Sequence, residues 1–431
     1  MPDVPVVRIH RSLLKSLRAF SLDRLRFLDE AAALGPVAGL RFGPSTVFVV
    51  TDAEVARRIL VTDAVLWTRP PAMRLPVRMG VGENIFTQSD ARWAVAQPIV
   101  APAFRSRVLA GRLEGLEKIV NAELSGVVAG EELDLELVMG RIALVIAAWV
   151  FLGERLASDR AQELADHQRH IVRWVGHRLG ALSAGVPIAL GADARRMRAH
   201  RAALDQYVDG VIDRAERDDA ADDTVLAMLQ SARPSGRALD RDQIRSHVLG
   251  LLLAGNETTA SALSWVLVHA AQNPTRWAEL RREPERADAF VTETLRLHPP
   301  AWGLTRTPTQ GGVAMLVDGK SIPVRRPGVV TVYLRGMHRD GGIWSDPERF
   351  DPDRHRGESH EHARNLIPFG LGPRGCIGQH LALAELRAIT PALARRGDVM
   401  ISSAIEEDAS FSLRPKGGLR GHFVAPNGRQ A

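Results

Sequence analysis

The sequence predicts a mainly α protein with small β-sheets, and three features of the chain indicate this fold class. From about Trp93 to Gln272 the apolar residues recur mostly with a helical period. The early segment Val37–Val50 is punctuated by glycine and rich in β-branched residues. After Pro299, short apolar runs alternate with Gly and Pro. Because no change in composition marks a flexible linker, residues 1–431 are expected to form a single domain.

The individual elements follow from local signals. The segment VAGLRFGPSTVFVV, Val37–Val50, predicts a hairpin, and Asp52 is an N-cap candidate for the helix-like stretch DAEVARRIL. Breaks in the helical region are expected at Gly185–Pro187 and at Ala232–Asp240. Beyond Pro299, GGVAMLVDGKSIPVRRPGVVTVYL predicts short strands, and the proline-rich IWSDPERFDPDRH predicts a coil.

The composition excludes several classes of protein. The chain has 431 residues, of which 45% are hydrophobic and 25% charged, as in ordinary globular proteins. One cysteine excludes a disulfide framework and any zinc or iron–sulfur site built from several cysteines. The formal net charge is +6, and the basic residues, nearly all arginine, are spread along the chain. This distribution favours solvated surface arginines over a nucleic-acid site.

No segment predicts a signal peptide or a membrane anchor. The N-terminal stretch MPDVPVVRIHRSLLKSLRAF contains no sufficiently long apolar run. The most apolar run elsewhere, IALVIAAWVFLG at Ile142–Gly153, has about 12 residues, whereas a membrane span needs about 20. A buried helix suits this run better, and the protein is expected to be cytoplasmic.

The only cysteine, Cys376, lies in a glycine-rich turn within IPFGLGPRGCIGQHLALAEL, Ile367–Leu386. The turn contains a literal G-x-G-x-x-G, but Pro368 interrupts the strand that a dinucleotide site requires, and too few residues follow. A lone cysteine is usually a structural filler. Here a thiolate where a helix is expected to begin gains the helix dipole, and Gly375 and Gly378 leave room for a flat ligand. A thiolate that ligates haem iron needs only one cysteine.

A long apolar helix is predicted over VLGLLLAGNETTASALSWVLVHAAQ, Val248–Gln272, and its middle is unusual for a core helix. Gly255 lowers helix stability by about 1 kcal/mol relative to Ala. Burial would destabilise the Glu257 carboxylate unless it is paired, and Thr258 adds a polar β-branched side chain. Two interpretations stay open. The helix has a polar side with close packing at the glycine, or its hydrogen-bond ladder opens into a polar notch that holds O₂ and water and passes protons.

A third segment, ETLRLHPP, places Glu293 and Arg296 three residues apart on a helix that is expected to stop before Pro299. Such pairs are common on protein surfaces. This pair therefore indicates a function only in combination with the cysteine segment and the long central helix.

Together these segments resemble the cytochrome P450 family. The cysteine segment is similar to its haem-binding signature, F-x-x-G-x-R-x-C-x-G, and AGNETT is similar to the oxygen-activation segment of its central helix. ETLR resembles its E-x-x-R pair, and FDPDR resembles the coil that supplies a third partner. The signature positions are Phe369, Gly372, Arg374, Cys376 and Gly378, continuing to Ala382 and Glu385. The resemblance spans nearly the whole chain and implies the cytochrome P450 fold, with haem between the long central helix and the cysteine segment.

The resemblance implies a role for each matching residue. Cys376 is expected to be the axial ligand of the iron of haem b (iron protoporphyrin IX). Thr258 is expected to hydrogen-bond oxygen at the iron, with Glu257 beside it in a proton relay. The residues expected to contact haem are Cys376, Arg374, Arg306, Trp93, Gln97, Phe369, Gly370, Gly378, Ala254 and Gly255.

Five charged residues at matching positions receive supporting roles from the same resemblance. Glu293, Arg296 and Arg354 are expected to form a structural network behind the haem. Arg374 and Arg306 are expected to pair with the haem propionates, a task for which the bidentate guanidinium is suited.

One position departs from the family pattern. The family often has Trp or His followed four residues later by Arg, but here Trp93 is followed by Gln97. The Trp93 indole is expected to donate to a propionate, whereas Gln97 can donate a hydrogen bond without bringing a charge. Either a propionate loses one countercharge, or Arg92 or Arg105 supplies it.

The substrate pocket is expected to be apolar. Its candidate residues are Ile85, Phe86, Leu253, Ala254, Trp302, Leu304 and Leu419. Their character favours a hydrophobic small molecule such as a terpenoid, fatty acid or polyketide, although each residue alone is more often plain core.

The function implied is that of a haem-thiolate monooxygenase inserting one oxygen atom from O₂ into an apolar substrate, by hydroxylation or epoxidation. No reductase-like extension is present, so electrons are expected from a separate ferredoxin and a ferredoxin reductase using NAD(P)H. Two alternatives are a peroxide-using haem enzyme, which Glu257 and Thr258 disfavour, and a non-catalytic haem-binding sensor, which would have little use for them. No nucleic acid partner is expected.

Overall fold

The computed structural model describes residues 6–7, 20, 23–42, 45–105, 109, 111, 113, 115–183, 192–217, 224–233, 238–357 and 360–425. Contacts along the chain divide it into two compact units. The first unit comprises Met1–Arg74, Gly176–Ile188 and Leu295–Cys376, and the second comprises Leu75–Val175, Ala189–Thr294 and Ile377–Ala431.

The elements are numbered in chain order. The helices are α1 (Arg24–Ala32), α2 (Ala53–Arg57), α3 (Pro71–Val81), α4 (Asp90–Val100), α5 (Leu116–Ser125), α6 (Leu135–Leu152), α7 (Ser158–Ser183), α8 (Ala192–Arg217), α9 (Val225–Ser231), α10 (Arg241–Gln272), α11 (Pro274–Arg282), α12 (Ala287–Leu297), α13 (Leu334–Met337), α14 (His360–Asn365) and α15 (Gln379–Arg396). The strands are β1 (Val6–Val7), β2 (Val37–Phe42), β3 (Ser45–Val50), β4 (Trp67–Thr68), β5 (Leu133–Asp134), β6 (Leu304–Pro308), β7 (Gly312–Val317), β8 (Lys320–Arg325), β9 (Val329–Val332), β10 (Asp398–Ile401), β11 (Glu407–Asp408), β12 (Arg414–Pro415) and β13 (Arg420–Val424).

In the first unit the described strands form a six-stranded sheet with the order β1-β2-β3-β9-β6-β4. β2 and β3 pair antiparallel, from Val37 opposite Val50 to Phe42 opposite Ser45, which confirms the predicted hairpin. β9 pairs parallel with β3 and antiparallel with β6. β7 and β8 form an antiparallel ladder of their own, so short strands follow Pro299 as predicted.

An apolar cluster packs against this sheet. Val50 and Val330 contribute to it from β3 and β9, and Val55 contributes from α2. Asp52 caps α2 as predicted, because its carboxylate accepts the Val55 N–H at 2.7 Å. The helix thus begins as soon as the chain leaves the sheet, and its apolar side closes the cluster.

α6 is the most apolar helix of the second unit. Asp134 caps its start by accepting the Leu137 N–H at 3.1 Å, and Gly153 ends it with a φ of 72°, a left-handed conformation that suits glycine. Within the described part of the chain it is the one helix long and apolar enough to cross a membrane, yet 78% of it is buried in the protein. The prediction of a buried helix at Ile142–Gly153 is confirmed.

α10 is the longest described helix, with 32 residues. Asp240 and Gln243 form a reciprocal capping box at its start, and the helix packs along α6. Most of its residues are buried, as the apolar pattern predicts. The helix therefore carries its central polar residues through the interior of the second unit.

The remaining predictions on the fold have mixed outcomes. The mainly α class with small sheets is confirmed, and α12 ends at Leu297, before Pro299, as predicted. The described residues of Ala232–Asp240 lie between α9 and α10 and interrupt the helical region there. The break expected at Gly185–Pro187 lies outside the described residues, and the single domain stays a prediction.

Candidate active site

The turn that carries Cys376 has a backbone that only glycine fits. Gly370 and Gly372 have φ values of 69° and 71°, and a Cβ on Gly372 would lie 2.0 Å from the Leu60 carbonyl oxygen. The Cys376 N–H donates to the Phe369 carbonyl at 2.9 Å, and the side chain of Cys376 is exposed. The turn is thus fixed by its own hydrogen bonds while the thiol stays accessible.

Cys376 does not occupy a cap position of the following helix. α15 begins at Gln379 with Gly378 as its N-cap residue, so the cysteine precedes the first helical residue by three positions. The expectation of a thiolate at the start of a helix is therefore met only approximately. The helix dipole acts mainly within the first turn of a helix.

Other predicted site residues of the first unit lie on β6 and in the cysteine turn. Arg306 is buried, and its guanidinium donates to the Thr305 carbonyl at 3.0 Å. Leu304 packs over Gly370, where an added Cβ would lie 3.1 Å from the Leu304 Cδ1 atom. Arg374 is half-buried in the turn just before the cysteine. The structure therefore places Leu304, predicted to line the substrate pocket, against Gly370, predicted to contact haem.

The E-x-x-R segment lies at the end of α12 and is completely buried. Glu293 and Arg296 both have 0% exposure. The Arg296 guanidinium donates to the carbonyls of His338 at 2.7 Å, Pro347 at 2.8 Å and Arg349 at 3.2 Å. The guanidinium therefore ties several loop carbonyls of the first unit together.

Arg354 joins the same loop. It donates to the Ser345 carbonyl at 2.9 Å and to the Arg349 carbonyl at 3.3 Å. Because Arg296 also binds the Arg349 carbonyl, the structure brings these two predicted network residues onto one acceptor.

In the middle of the mostly buried α10, one predicted residue is exposed. Thr258 is exposed, and its Oγ1 donates to the Ala254 carbonyl at 2.8 Å. The helix continues through this point, so the open ladder of the notch interpretation is not seen. A Cβ on Gly255 would lie 3.3 Å from the Phe151 ring, which favours close packing against α6 over a cofactor contact there.

Glu257 lies in a polar environment within the second unit. Its Oε1 accepts the Ser412 hydroxyl at 2.6 Å and lies 3.9 Å from the Arg414 guanidinium. Its side chain is 14% exposed, and burial raises the pKa of the carboxyl while Arg414 and Ser412 act against that rise. The carboxyl therefore keeps a proton more readily than an ordinary glutamate.

Sequence reasoning missed both partners of Glu257. A buried carboxylate predicts a partner, but Ser412 is 155 positions further along the chain, and no spacing rule joins the two. Arg414 lies in β12, 157 positions after Glu257. The burial of Glu257 was the one signal that such partners existed.

Glu385, near the end of the signature, is a second buried carboxyl. Its Oε2 accepts the Thr259 hydroxyl at 3.0 Å. Burial raises its pKa to about 8, and the hydrogen bond only partly offsets this. The raised pKa favours the protonated form of Glu385 at neutral pH. Glu385 lies on α15, and its partner Thr259 follows Thr258 on α10.

On α4, Trp93 and Gln97 share one half-buried face, as residues four apart on a helix do. Arg92 is exposed and pairs with Glu83 at 2.5 Å, while Arg105 lies beyond the helix and is exposed. Arg92 already has an acidic partner, which weakens its case as the replacement charge for Gln97.

The predicted pocket residues differ in burial. Phe86, Trp302 and Leu304 are half-buried, and the Trp302 ring lies 5.4 Å from the Arg24 guanidinium. The residues with the burial of core side chains are Ile85, Leu253 and Leu419, at 3%, 5% and 0% exposure. The half-buried aromatic and aliphatic side chains are the better candidates for substrate contact.

These observations fit haem. A planar macrocycle held by a thiolate requires an accessible thiol on a rigid turn, which Cys376 provides in the first unit. Within the second unit, α10 has an exposed surface at Thr258, with the half-buried Ala254 one turn before it. In the described parts of the chain no three His, Cys, Asp or Glu residues are grouped to hold a metal ion.

Comparison with known proteins supplies the class. The profile of the family described as Cytochrome P450 matches residues 25–404. Cyclooctatin synthase of Streptomyces melanosporofaciens is 29% identical over 398 residues, which cover 86% of this chain and 84% of that protein. Cyclooctat-9-en-7-ol 5-monooxygenase of the same organism is 27% identical over 399 residues, with the same coverage.

A solved structure has the same fold. The crystal structure of CYP175A1 from Thermus thermophilus superposes with a TM-score of 0.79 at 24% identity, and the match covers 97% of this chain and 99% of that one. The chain belongs to the cytochrome P450 family. It is a cytochrome P450 monooxygenase, and haem is its cofactor.

Proposed function

We propose that this enzyme hydroxylates or epoxidises a hydrophobic small molecule with one atom of O₂. The observation that carries the proposal is the exposed Cys376 thiol on a turn held by Gly370 and Gly372. Terpenoids are the first substrate class to test, ahead of fatty acids and polyketides, because of the two relatives named for cyclooctatin and cyclooctat-9-en-7-ol. The half-buried Phe86 and Trp302 support an apolar substrate.

In this proposal the chain holds haem with one thiolate ligand to the iron and with hydrogen-bond donors to the propionates. Cys376 is the iron ligand in this proposal, and Arg306 and Arg374 pair with the propionates. Haem held by a thiolate supplies O₂ binding and O–O cleavage. Trp93 and Gln97, on one face of α4, donate hydrogen bonds to a propionate, and Gln97 does so without a charge.

The proton chemistry is assigned to α10. Thr258 lies at the exposed side of the helix, where its Oγ1 can exchange the Ala254 carbonyl for a reacting oxygen. Glu257 supplies the proton, because its raised pKa lets the carboxyl carry one at neutral pH. Ser412 and Arg414 hold the carboxyl in place while the proton leaves.

The decisive experiment is the absorption spectrum of the reduced protein with CO. Thiolate ligation gives a strongly red-shifted Soret band, and Cys376→His is expected to abolish that band while haem stays bound. An unshifted band in the unaltered protein would rule out Cys376 as the ligand. Shifts of the ferric Soret band across a compound library then identify the substrate class.

The role of Thr258 is tested by the amount of product formed per NAD(P)H consumed, that is, by the coupling of the reaction. Thr258→Ala is expected to let NAD(P)H consumption continue while product falls and peroxide rises, because the hydroxyl that guides proton delivery is gone. Thr258→Ser keeps the hydroxyl and is expected to keep most of the coupling. Unchanged coupling in Thr258→Ala would remove this residue from the mechanism.

Electrons are proposed to come from a separate ferredoxin and its NAD(P)H-dependent reductase, and the enzyme is proposed to be soluble and cytoplasmic. The burial of α6, the one candidate membrane span among the described residues, supports a soluble protein. Reconstitution with a panel of ferredoxins tests the proposed electron donors, with product formation as the measurement.

A further inference from the structure

A small internal cavity of about 30 Å³ lies in the second unit beside Glu257. It is bounded by α6, α7, α10 and β12, and its volume has room for one or two water molecules. Its polar lining consists of Glu136, Gln168, Arg169, Asn256, Glu257 and Arg414. The cavity therefore joins the proposed proton donor to a second carboxyl, that of Glu136.

Three buried polar atoms of the lining lack a hydrogen-bond partner among the described residues. They are the Glu136 Oε2, the Asn256 Oδ1 and the Arg169 Nε. The Asn256 amide nitrogen donates to the Gln168 side-chain oxygen, which leaves its own oxygen for another donor. Two acceptors and one donor around a space of this size are what an internal water needs.

The charges around the cavity do not balance. The Arg414 Nη1 lies 3.8 Å from the Glu136 Oε1 and 3.9 Å from the Glu257 Oε1. Arg414 also pairs with the more exposed Asp408 at 3.3 Å. Two mostly buried carboxyls thus face one guanidinium, and ionising both would leave a buried excess negative charge.

The other guanidinium of the cavity lining, that of Arg169, does not remove the excess. Arg169 donates to Asp134 at 3.0 Å and to Asp166 at 2.8 Å, so its charge already serves two carboxylates. Burial raises the pKa of Glu136, with Arg414, Arg173 and Arg169 acting against it and Asp134 acting with it. The same balance of burial against Arg414 holds for Glu257.

We propose that Glu136 and Glu257 hold one proton between them across Arg414, and that Glu136 returns a proton to Glu257 through water in the cavity after each turnover. This inference rests on the proposed function, because it takes Glu257 as the residue that gives up a proton. Glu136 acts through Glu257 and is a positioning residue for proton supply.

The step involves protons only. When Glu257 gives up the shared proton, both carboxyls are ionised, and Glu136 takes a proton from solvent at the rim, where the side chains of Asp134 and Arg169 are 31% and 21% exposed. The O–H bond of the Glu136 acid then breaks, its proton passes along cavity water, and a new O–H bond forms on the Glu257 carboxylate. Charge on the pair is the same at the end as at the start, so Arg414 stays matched to one carboxylate.

Infrared spectroscopy tests the shared proton without catalysis. In the resting haem-loaded protein, a protonated carboxyl gives a carbonyl stretching band that moves to lower frequency in D₂O. Glu385 is expected to give one such band, so Glu385→Gln serves as the background. In that background the band of the pair is expected to disappear in Glu136→Gln and equally in Glu257→Gln, because the remaining carboxylate then matches Arg414 alone.

The matched control is Glu123→Gln. Glu123 is another buried carboxyl, 7% exposed, but it has its own cation, Arg141, at 3.3 Å. This substitution is expected to leave the band of the pair unchanged. A band that survives in Glu136→Gln, or none at all beyond that of Glu385, would overturn the shared proton.

Turnover tests the resupply. In Glu136→Gln, product formed per NAD(P)H is expected to fall roughly tenfold, less than for a general acid that acts directly on the reacting atoms, with a larger solvent isotope effect. Glu136→Asp is expected to restore most of the coupling and the pH profile of the unaltered enzyme. Normal coupling and an unchanged pH profile in Glu136→Gln would overturn the relay.

Different measurements would reject the proposed function and the proton shared by Glu136 and Glu257. The red-shifted CO band of thiolate ligation is expected in Glu136→Gln as in the unaltered protein, so its absence from both would count against the proposed function. Loss of the infrared band of the pair with an intact CO band would support the shared proton. If the red-shifted CO band is intact and Glu136→Gln changes neither the infrared band nor the coupling, the role of Glu136 is rejected and the proposed function stands.

Discussion

Two buried arginines, one in each unit, make different described contacts. Arg296, at 0% exposure, donates to backbone carbonyls of His338, Pro347 and Arg349. Arg414, at 7% exposure, faces the carboxyls of Asp408, Glu136 and Glu257 instead. Both arginines are well buried, so the difference lies in what the guanidinium binds.

The difference separates a structural role from a chemical one. A backbone carbonyl cannot take up a proton at any physiological pH, so these three carbonyl contacts of Arg296 do not depend on the proton supply. A carboxyl can take up a proton, so the environment of Arg414 can change its charge while its geometry stays in place. Arg296 therefore holds loops, and in the function proposed above Arg414 keeps Glu257 ready to exchange a proton.

The largest effect is expected from Arg296. Arg296→Lys should unfold most of the protein or prevent haem incorporation, because an ammonium cannot reach the three carbonyls that the planar guanidinium binds. Leaving those buried carbonyls unsatisfied costs on the order of 5 kcal/mol, which is comparable with the stability of a whole domain. Haem content and thermal unfolding measure this, and a stable, haem-loaded Arg296→Lys protein would contradict the comparison.

A smaller, pH-dependent effect is expected from Arg414. In Arg414→Gln, Glu136 and Glu257 can both become neutral by binding protons, so the loss of stability at pH 6 should be only about 2 kcal/mol. It should grow as the pH rises to 8, because the unfolded chain ionises these carboxyls while the folded protein must keep them protonated. Urea unfolding at the two pH values measures it, and equal losses at both would show that the carboxyls do not respond.

Glu385 is a buried carboxyl whose described contacts include no arginine, and it gives the third prediction. The pKa of Glu385 is raised to about 8, above its value of 4.5 in an unfolded chain, so its contribution to stability is lost as the pH rises from about 5 to 8. The slope is about 1.4 kcal/mol per pH unit within that window. Glu385→Gln should remove this slope and leave the stability at pH 5 little changed, as urea unfolding across the range will measure. Glu123→Gln is the control, and a slope that persists in Glu385→Gln would assign it to other groups.

Local features of this chain were predictable from the sequence, and long-range contacts were not. The hairpin at Val37–Val50, the cap at Asp52 and the buried run at Ile142–Gly153 follow from neighbouring residues, and the structure has all three. The partner of Glu257 could not be found, because Arg414 reaches it only once β12 is in place. Of the two interpretations of Gly255, its approach to the Phe151 ring favours close packing, a contact that also depends on the tertiary fold.

Three consecutive residues of α10 occupy three different environments. Glu257 contacts Ser412, Thr258 is exposed, and Thr259 contacts Glu385. Successive residues on a helix point about 100° apart, so inserting or deleting one residue upstream would move each side chain into its neighbour's surroundings. The number of residues from the cap at Asp240 to Glu257 is therefore a constraint on evolution. Substitutions can accumulate along this stretch of α10, but a change in its length would misdirect all three groups at once.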